Sequence, residues 1–170
     1  MDVDIGFIYT HERHFMQPLV SSLAQSGRGV SMRLILVDNA SADGVDPWRH
    51  TFPDTRVVRN EGRLGYAANL NRILEISTAR YALLLNTDMY FDPHEQCVAK
   101  MVRFMDAHSD CGVSGCRLYR PDGTFGFPAR RFQTLATIAA RRLGLAGLLG
   151  NTVESYLHRD KPQDAVFDCD

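Results

Sequence analysis

Three short apolar runs in this chain each stop abruptly in a cluster of polar residues. Val3 to Tyr9 runs into Thr10-His-Glu-Arg13, and Met32 to Val37 into Asp38-Asn-Ala-Ser-Ala-Asp-Gly44. Tyr81-Ala-Leu-Leu-Leu85 runs into Asn86-Thr-Asp88. Continuous rather than alternating runs of this length suit strands buried on both faces of a parallel sheet. If such strands are adjacent, their polar ends meet on one edge. Ligands of open α/β sheets sit beyond that edge.

The segments between the runs have helical spacing. Leu19, Val20, Leu23 and Ala24 fall on one face, with Pro18 suited to a first turn. Tyr66, Leu70, Ile73 and Leu74 repeat at the 3.6 period. Asp92-Pro-His-Glu95 supplies a cap, a proline at the first position and a capping box, ahead of Val98, Met101, Val102 and Met105. Asp46-Pro-Trp-Arg-His50 suits a short helix, and Thr55 to Asn60 a weaker third strand towards an edge. Gly112 to Tyr119 reads as a further strand and Pro121-Asp-Gly-Thr124 as a hairpin turn. Gln133 to Leu149 reads as a helix weakened by Gly144 and Gly147. Strands alternating with helices predict an α/β fold, a three-layer α/β/α, mainly parallel sheet.

A chain of 170 residues, 45% of them hydrophobic, can bury a proper core. Its 19 Lys+Arg against 20 Asp+Glu give a formal net charge of −1, so bulk attraction to nucleic acid is not expected. Cys97, Cys111, Cys116 and Cys169 show no C-x-x-C spacing and no histidine cluster completes a zinc site, which suits free thiols in a reducing compartment. No apolar run is long enough to span a bilayer, and Met1-Asp-Val-Asp4 is acidic where a signal peptide is basic. A cytosolic or peripheral location is expected.

A lone aspartate after a strand most often caps a turn. Asp38 and Asp88, brought to one edge, suggest more. Two unpaired carboxylates repel, so a hydrated Mg2+ or Mn2+ carrying a diphosphate fits near them. Alternatively Asp38 accepts hydrogen bonds from a base or ribose while Asp88 takes the metal. Glu61-Gly-Arg-Leu-Gly65, ahead of a helix, offers backbone N–H groups and Arg63 to an anion. It is neither G-x-G-x-x-G nor a P-loop, which argues against a dehydrogenase or an NTPase. There is no G-x-S-x-G and no Cys/His nucleophile pair. A nucleotidyltransferase would want a glycine-rich basic loop after the first strand, and Thr10-His-Glu-Arg13 has no glycine. A non-catalytic α/β binding module is a further alternative.

Phe7-Ile-Tyr-Thr10, Leu36-Val-Asp-Asn-Ala-Ser-Ala-Asp-Gly44, Leu64-Gly-Tyr-Ala-Ala-Asn-Leu-Asn71 and Leu84-Leu-Asn-Thr-Asp88 resemble the successive motifs of inverting glycosyltransferases of the GT-A fold. More narrowly they are similar to the family-two group that includes rhamnosyltransferases, in order and spacing from roughly Val3 to Gly123. The resemblance implies a GT-A sheet with a Rossmann-like nucleotide-binding half, and a UDP- or dTDP-sugar donor. It places Thr10 and Glu12 in the nucleoside pocket and Asp38 on the base, with the loop from Arg63 to Asn71 bordering the nucleotide. Asn86 and Asp88 take the place of the family's D-x-D motif, Asp88 being the metal or diphosphate ligand. A divalent cation (Mg2+ or Mn2+) and a saccharide or lipid-linked acceptor follow, in polysaccharide or glycolipid synthesis.

The chain departs from that pattern twice. Arg63 stands where the family usually carries Asn. No acidic E-D motif follows to supply the general base, so the expectation is a donor-binding domain over 1–125 and the start of an acceptor-side region over 126–170. The Arg141-Arg142 segment suits packing on the sheet, an anionic membrane surface at the cytoplasmic face, or the pairing of two protomers.

Overall fold

The computed structural model describes residues 1–50, 52, 54–126, 129–143, 154–159, 161, 162, 165–167 and 169. The elements in order are β1 (Val3–Tyr9), α1 (Arg13–Ser26), β2 (Met32–Asp38), a 3-10 turn (Asp46–Trp48), β3 (Thr55–Arg59), α2 (Tyr66–Ile76), β4 (Tyr81–Leu85), α3 (Cys97–Ala107) and α4 (Leu135–Arg142). They fall into two compact units, Met1–Ser114 and Gly115–Asp170. The sequence alone suggested a boundary at 125.

The first unit holds a four-stranded sheet of order β3-β2-β1-β4. All three pairings are parallel, with Tyr9 opposite Asp38, Asp38 opposite Arg59, and Phe7 opposite Leu85. The chain steps outwards from β1 to β3, then returns to the other side of β1 for β4. One face carries the larger core, in which Ile5 and Phe7 of β1 and Leu34 and Leu36 of β2 meet Met16, Leu19 and Leu23 of α1 and Val98 and Val102 of α3. The other face packs Ile35 and Val37 against Ile73 of α2. This is the expected three-layer parallel sheet.

Gly6 lets α2 lie close to β1. A Cβ at that position would stand 2.2 Å from Ile73 Cγ2. At the amino-terminal edge, buried Asp4 receives Arg33 Nε and Nη2 at 2.8 and 2.7 Å. It also accepts the Ser77 hydroxyl and the Thr78 and Ala79 amides, which tethers the turn into β4. Every polar ligand of that carboxylate comes from the edge opposite the polar clusters.

Several local expectations change. Pro18 lies inside α1, one and a half turns from its start, rather than in the first turn. In α2 the buried residues are Asn69 and Ile73, whereas Tyr66 and Leu74 are exposed, because the helix docks through Ile73 over Gly6. α3 begins at Cys97: Gln96 sits in the left-handed region at φ 49° and breaks the predicted start at Asp92 into a separate turn. Asp92 Oδ1 does accept the His94 amide at 2.8 Å, but Glu95 pairs with Lys100 instead of closing a box. β4 is not buried on both faces. Ala82 and Leu84 are exposed because β4 has one neighbour in the described sheet and α2 covers β1 and β2.

Gly112 to Tyr119 does not form a strand. Only Tyr119 bridges, antiparallel to Phe125, and Gly112 and Gly115 weaken the segment. The turn between them forms as predicted, with Gly123 at φ 80°. In the second unit Thr134 caps α4 through a box with Thr137. The rest of the predicted helix, 144–149, lies outside the described residues.

Candidate functional site

Strand order reverses beside β1, so a crevice opens between the carboxyl ends of β1 and β4. It is a cleft of about 320 Å³, lined by Thr10, Glu12 and Phe15 after β1, by Asn86, Thr87 and Asp88 after β4, and by Tyr66 of α2. Four of the residues singled out from sequence therefore meet: Thr10, Glu12, Asn86 and Asp88.

Their states differ. Glu12 turns back on its own loop and accepts the Thr10 and His11 amides, both at 3.0 Å. Burial pushes its carboxyl up, but those backbone hydrogen bonds outweigh it and hold the group below its ordinary value. It stays an anion with one oxygen, Oε2, occupied by the two amides. Asp88 is exposed and forms no hydrogen bond or ion pair among the described residues. Asn86 accepts the Tyr66 hydroxyl at 3.2 Å, which ties β4's end to the start of α2.

Asp38 lies elsewhere on the edge. It follows β2, two strands from β4, a separation of roughly 10 Å at ordinary strand spacing. It is 1% exposed. Oδ1 accepts the Ser41 amide at 2.8 Å and Oδ2 stands 3.5 Å from Arg59. One ion between Asp38 and Asp88 is therefore not how this edge is built. Asp38 instead shapes its own loop, aided by Tyr9, whose buried hydroxyl donates to Asp43 at 2.6 Å. Burial and the Asp43 carboxylate push the Tyr9 phenol well above its ordinary range. Tyr9 also packs on Trp48, with ring centroids 5.1 Å apart. Ala40, in the same loop, is held at φ 53°.

A second concavity, about 350 Å³, opens beside this loop and is lined by Ala40, Ser41, Arg59, Asn60 and Glu61. Arg63 is exposed on the neighbouring loop and Asn71 is exposed on α2; neither lines either cleft.

Three buried amides carry no signal in the order of residues. Asn39, Asn60 and Asn69 are 7%, 3% and 0% exposed. Asn60 Nδ2 donates to Asn39 Oδ1 at 2.9 Å and to Asn69 Oδ1 at 2.7 Å. Arg72 donates to Asn60 Oδ1. Asn39 and Asn69 lie inside quoted motifs, but nothing in their spacing marks them as partners of residue 60.

Among the described residues no three His, Cys, Asp or Glu side chains group as metal ligands. The cleft still suits a hard cation. Asp88 offers free carboxylate oxygens, and Mg2+ is commonly held by one or two carboxylates with the remaining oxygens coming from water and substrate phosphate.

A sequence model described as glycosyl transferase family 2 matches residues 7–161. The chain belongs to this family. No curated protein matches it. Among solved structures, this glycosyl transferase family 2 chain is similar to S. aureus TarS 1-349, with a TM-score of 0.57 and 18% identity over 79% of this chain and 42% of that one. It is also similar to the mannosyltransferase PcManGT from Pyrobaculum calidifontis, solved in complex with GDP-Man and Mn2+. There the TM-score is 0.57 and identity 21%, over 71% of this chain and 36% of that one. At these identities the likeness establishes the fold. The chain spans about two-fifths of the length of these structures. No described helix is long and apolar enough to cross a membrane.

Proposed function

We propose that this chain carries the donor-binding part of an inverting glycosyltransferase, which moves a sugar from a nucleoside diphosphate to a hydroxyl acceptor. One observation carries this. Thr10, Glu12, Asn86 and Asp88, from the carboxyl ends of two adjacent parallel strands, line a single cleft at the point where strand order reverses. Its volume, near the lower end for ligand sites, suits a diphosphate and part of a nucleoside better than a whole nucleotide-sugar.

Asp88 is the residue to hold a divalent cation on the diphosphate. When bound, that cation neutralises charge on the leaving group. Glu12 fixes the turn after β1 and presents Thr10. Arg63 and Asn71, exposed on the loop and helix beyond the cleft, would take outer parts of the donor. Asp38 holds the loop over 38–44 through the Ser41 amide and Arg59, and its remaining lone pairs would accept from the base. The family relationship and the neighbour solved with GDP-Man and Mn2+ support a nucleotide-sugar donor. A uridine or thymidine nucleotide, rhamnose as the sugar, and a saccharide or lipid-linked acceptor at the cytoplasmic membrane face belong to the same proposal, as does pairing of two protomers.

Calorimetric titration of the chain with UDP, dTDP and GDP, each with and without Mn2+, tests it. Binding of one nucleotide, tightened by Mn2+, is expected. Failure of all three to bind overturns the proposal.

A further inference from the structure

We infer that Asn39, Asn60 and Asn69 form a positioning element that sets the α2 wall of the cleft through Leu64 and Tyr66. The inference rests on reading that cleft as the donor site.

The three amides come from separate places in the chain: the loop after β2, the end of β3, and the second turn of α2. They converge on one short stretch of backbone. Asn39 Oδ1 accepts the Leu64 amide at 2.8 Å while its Nδ2 donates to the Leu64 carbonyl at 3.2 Å. Asn69 Nδ2 donates to the carbonyls of Leu64 at 3.2 Å and Gly65 at 3.1 Å. Asn60 joins the other two. Both polar groups of the Leu64 backbone are thereby fixed.

Among the described residues no other side chain holds both polar groups of the Leu64 backbone. Residues 61–68 are all exposed, so apolar packing does not place the loop. Tyr66 follows at once as the first residue of α2. Tyr66 is 60% exposed, so its direction is set by the backbone it leaves rather than by burial. From there its hydroxyl reaches Asn86, a lining residue of the cleft. A fully satisfied polar network in a low-dielectric interior is rigid, and one missing member leaves its neighbours unpaired. The network therefore fixes a cleft wall that none of its members touches.

The test combines Asn69→Ala, Tyr66→Phe and the double variant. Each is titrated with whichever of UDP, dTDP or GDP binds the wild-type chain, in Mn2+. Melting temperature and hydrogen exchange over 61–68 are measured in parallel. Tyr66→Phe should weaken binding about 3-fold with an unchanged melting temperature, the size expected for one hydrogen bond. Asn69→Ala should weaken it about 10-fold, since it releases the Leu64 and Gly65 backbone as well as the Tyr66 contact, and the double variant no further than Asn69→Ala alone, because that contact is already lost in it. Effects that multiply in the double variant, or unchanged affinity in either single variant, would overturn the inference. If Asn69→Ala does not fold, Asn39→Ala, which releases the Leu64 amide and carbonyl, is read in its place. If the wild-type chain binds none of the nucleotides, the proposed function fails, and exchange still decides the positioning role. Acceleration confined to 61–68 in Asn69→Ala supports it; acceleration spread through the sheet, or none, overturns it.

Discussion

Asp4 and Arg33 occupy paired positions on β1 and β2 and meet in a two-point contact, 2.8 and 2.7 Å, at the edge of the sheet away from the cleft. Burial pushes the Asp4 carboxyl up, but Arg33 and the Thr78, Ala79 and Ser77 donors more than reverse this, bringing it from 3.8 to about 2. A carboxyl depressed on folding adds stability above its unfolded value and loses it as pH falls through the folded value. After allowance for solvent screening, on the order of 1–2 kcal/mol should therefore disappear between roughly pH 4 and pH 2. Urea melts across that range should show the loss in wild type. Asp4→Asn should make the acid limb shallower by that amount while lowering stability at pH 7, the remainder coming from other depressed carboxyls such as Glu12; an unaltered acid limb in the variant would contradict the assignment.

The closeness of Gly6 to Ile73 gives a packing prediction. Gly6→Ala places a methyl 2.2 Å from Ile73 Cγ2, so α2 must move or the core must strain. A cost of about 1–3 kcal/mol is expected. Combining it with Ile73→Ala should cost less than the sum of the two changes, because the methyl then occupies vacated space. Chemical denaturation of the two single variants and the double one measures this, and strict additivity would count against it.

Ala40 carries the opposite opportunity. Held at φ 53° with nothing but alanine's own Cβ to resist it, it should prefer glycine. Ala40→Gly is expected to raise stability by about 0.5–1 kcal/mol, the relief of about 1–2 kcal/mol of left-handed strain less about 0.4–1 kcal/mol for the freer unfolded glycine. A fall in melting temperature would mean that the Cβ makes a contact worth more than the strain.

Asp88 is exposed, so Asp88→Asn should leave the melting temperature unchanged. It should nevertheless reduce Mn2+-dependent nucleotide affinity on the order of 100-fold, through loss of a charged metal ligand. Mn2+-independent affinity should change little. Equal losses with and without Mn2+ would argue for a role other than holding the cation.

β1 and β2 were readable because short apolar runs are decisive where a sheet is covered on both faces. The cleft was readable in part because parallel strands put Thr10 and Asn86 on one edge. Gln96 was not: its left-handed backbone leaves no pattern in composition, and Asp92-Pro-His-Glu95 looked like a helix start in its own right. Tyr66 and Leu74 fitted the apolar period of α2 yet remain exposed, because Gly6 chooses which part of the helix touches the sheet. The burial of Asp38 depends on Ser41 and Arg59 turning towards it, a geometry invisible in the order of residues. The asparagine network was hidden for a related reason. Any polar residue can be surface, and only the crossing of three elements shows that these are not.

Asn60 donates both of its amide hydrogens and accepts through its oxygen. No other side chain of that length offers two donors and one acceptor from a single branch. Asp would supply no donors, Ser too few, and Gln the right set one methylene too far out. In a saturation substitution library, position 60 should thus be nearly intolerant while the exposed Glu61 beside it accepts almost anything. The contrast between two adjacent letters would record an interior geometry that no local rule of sequence contains.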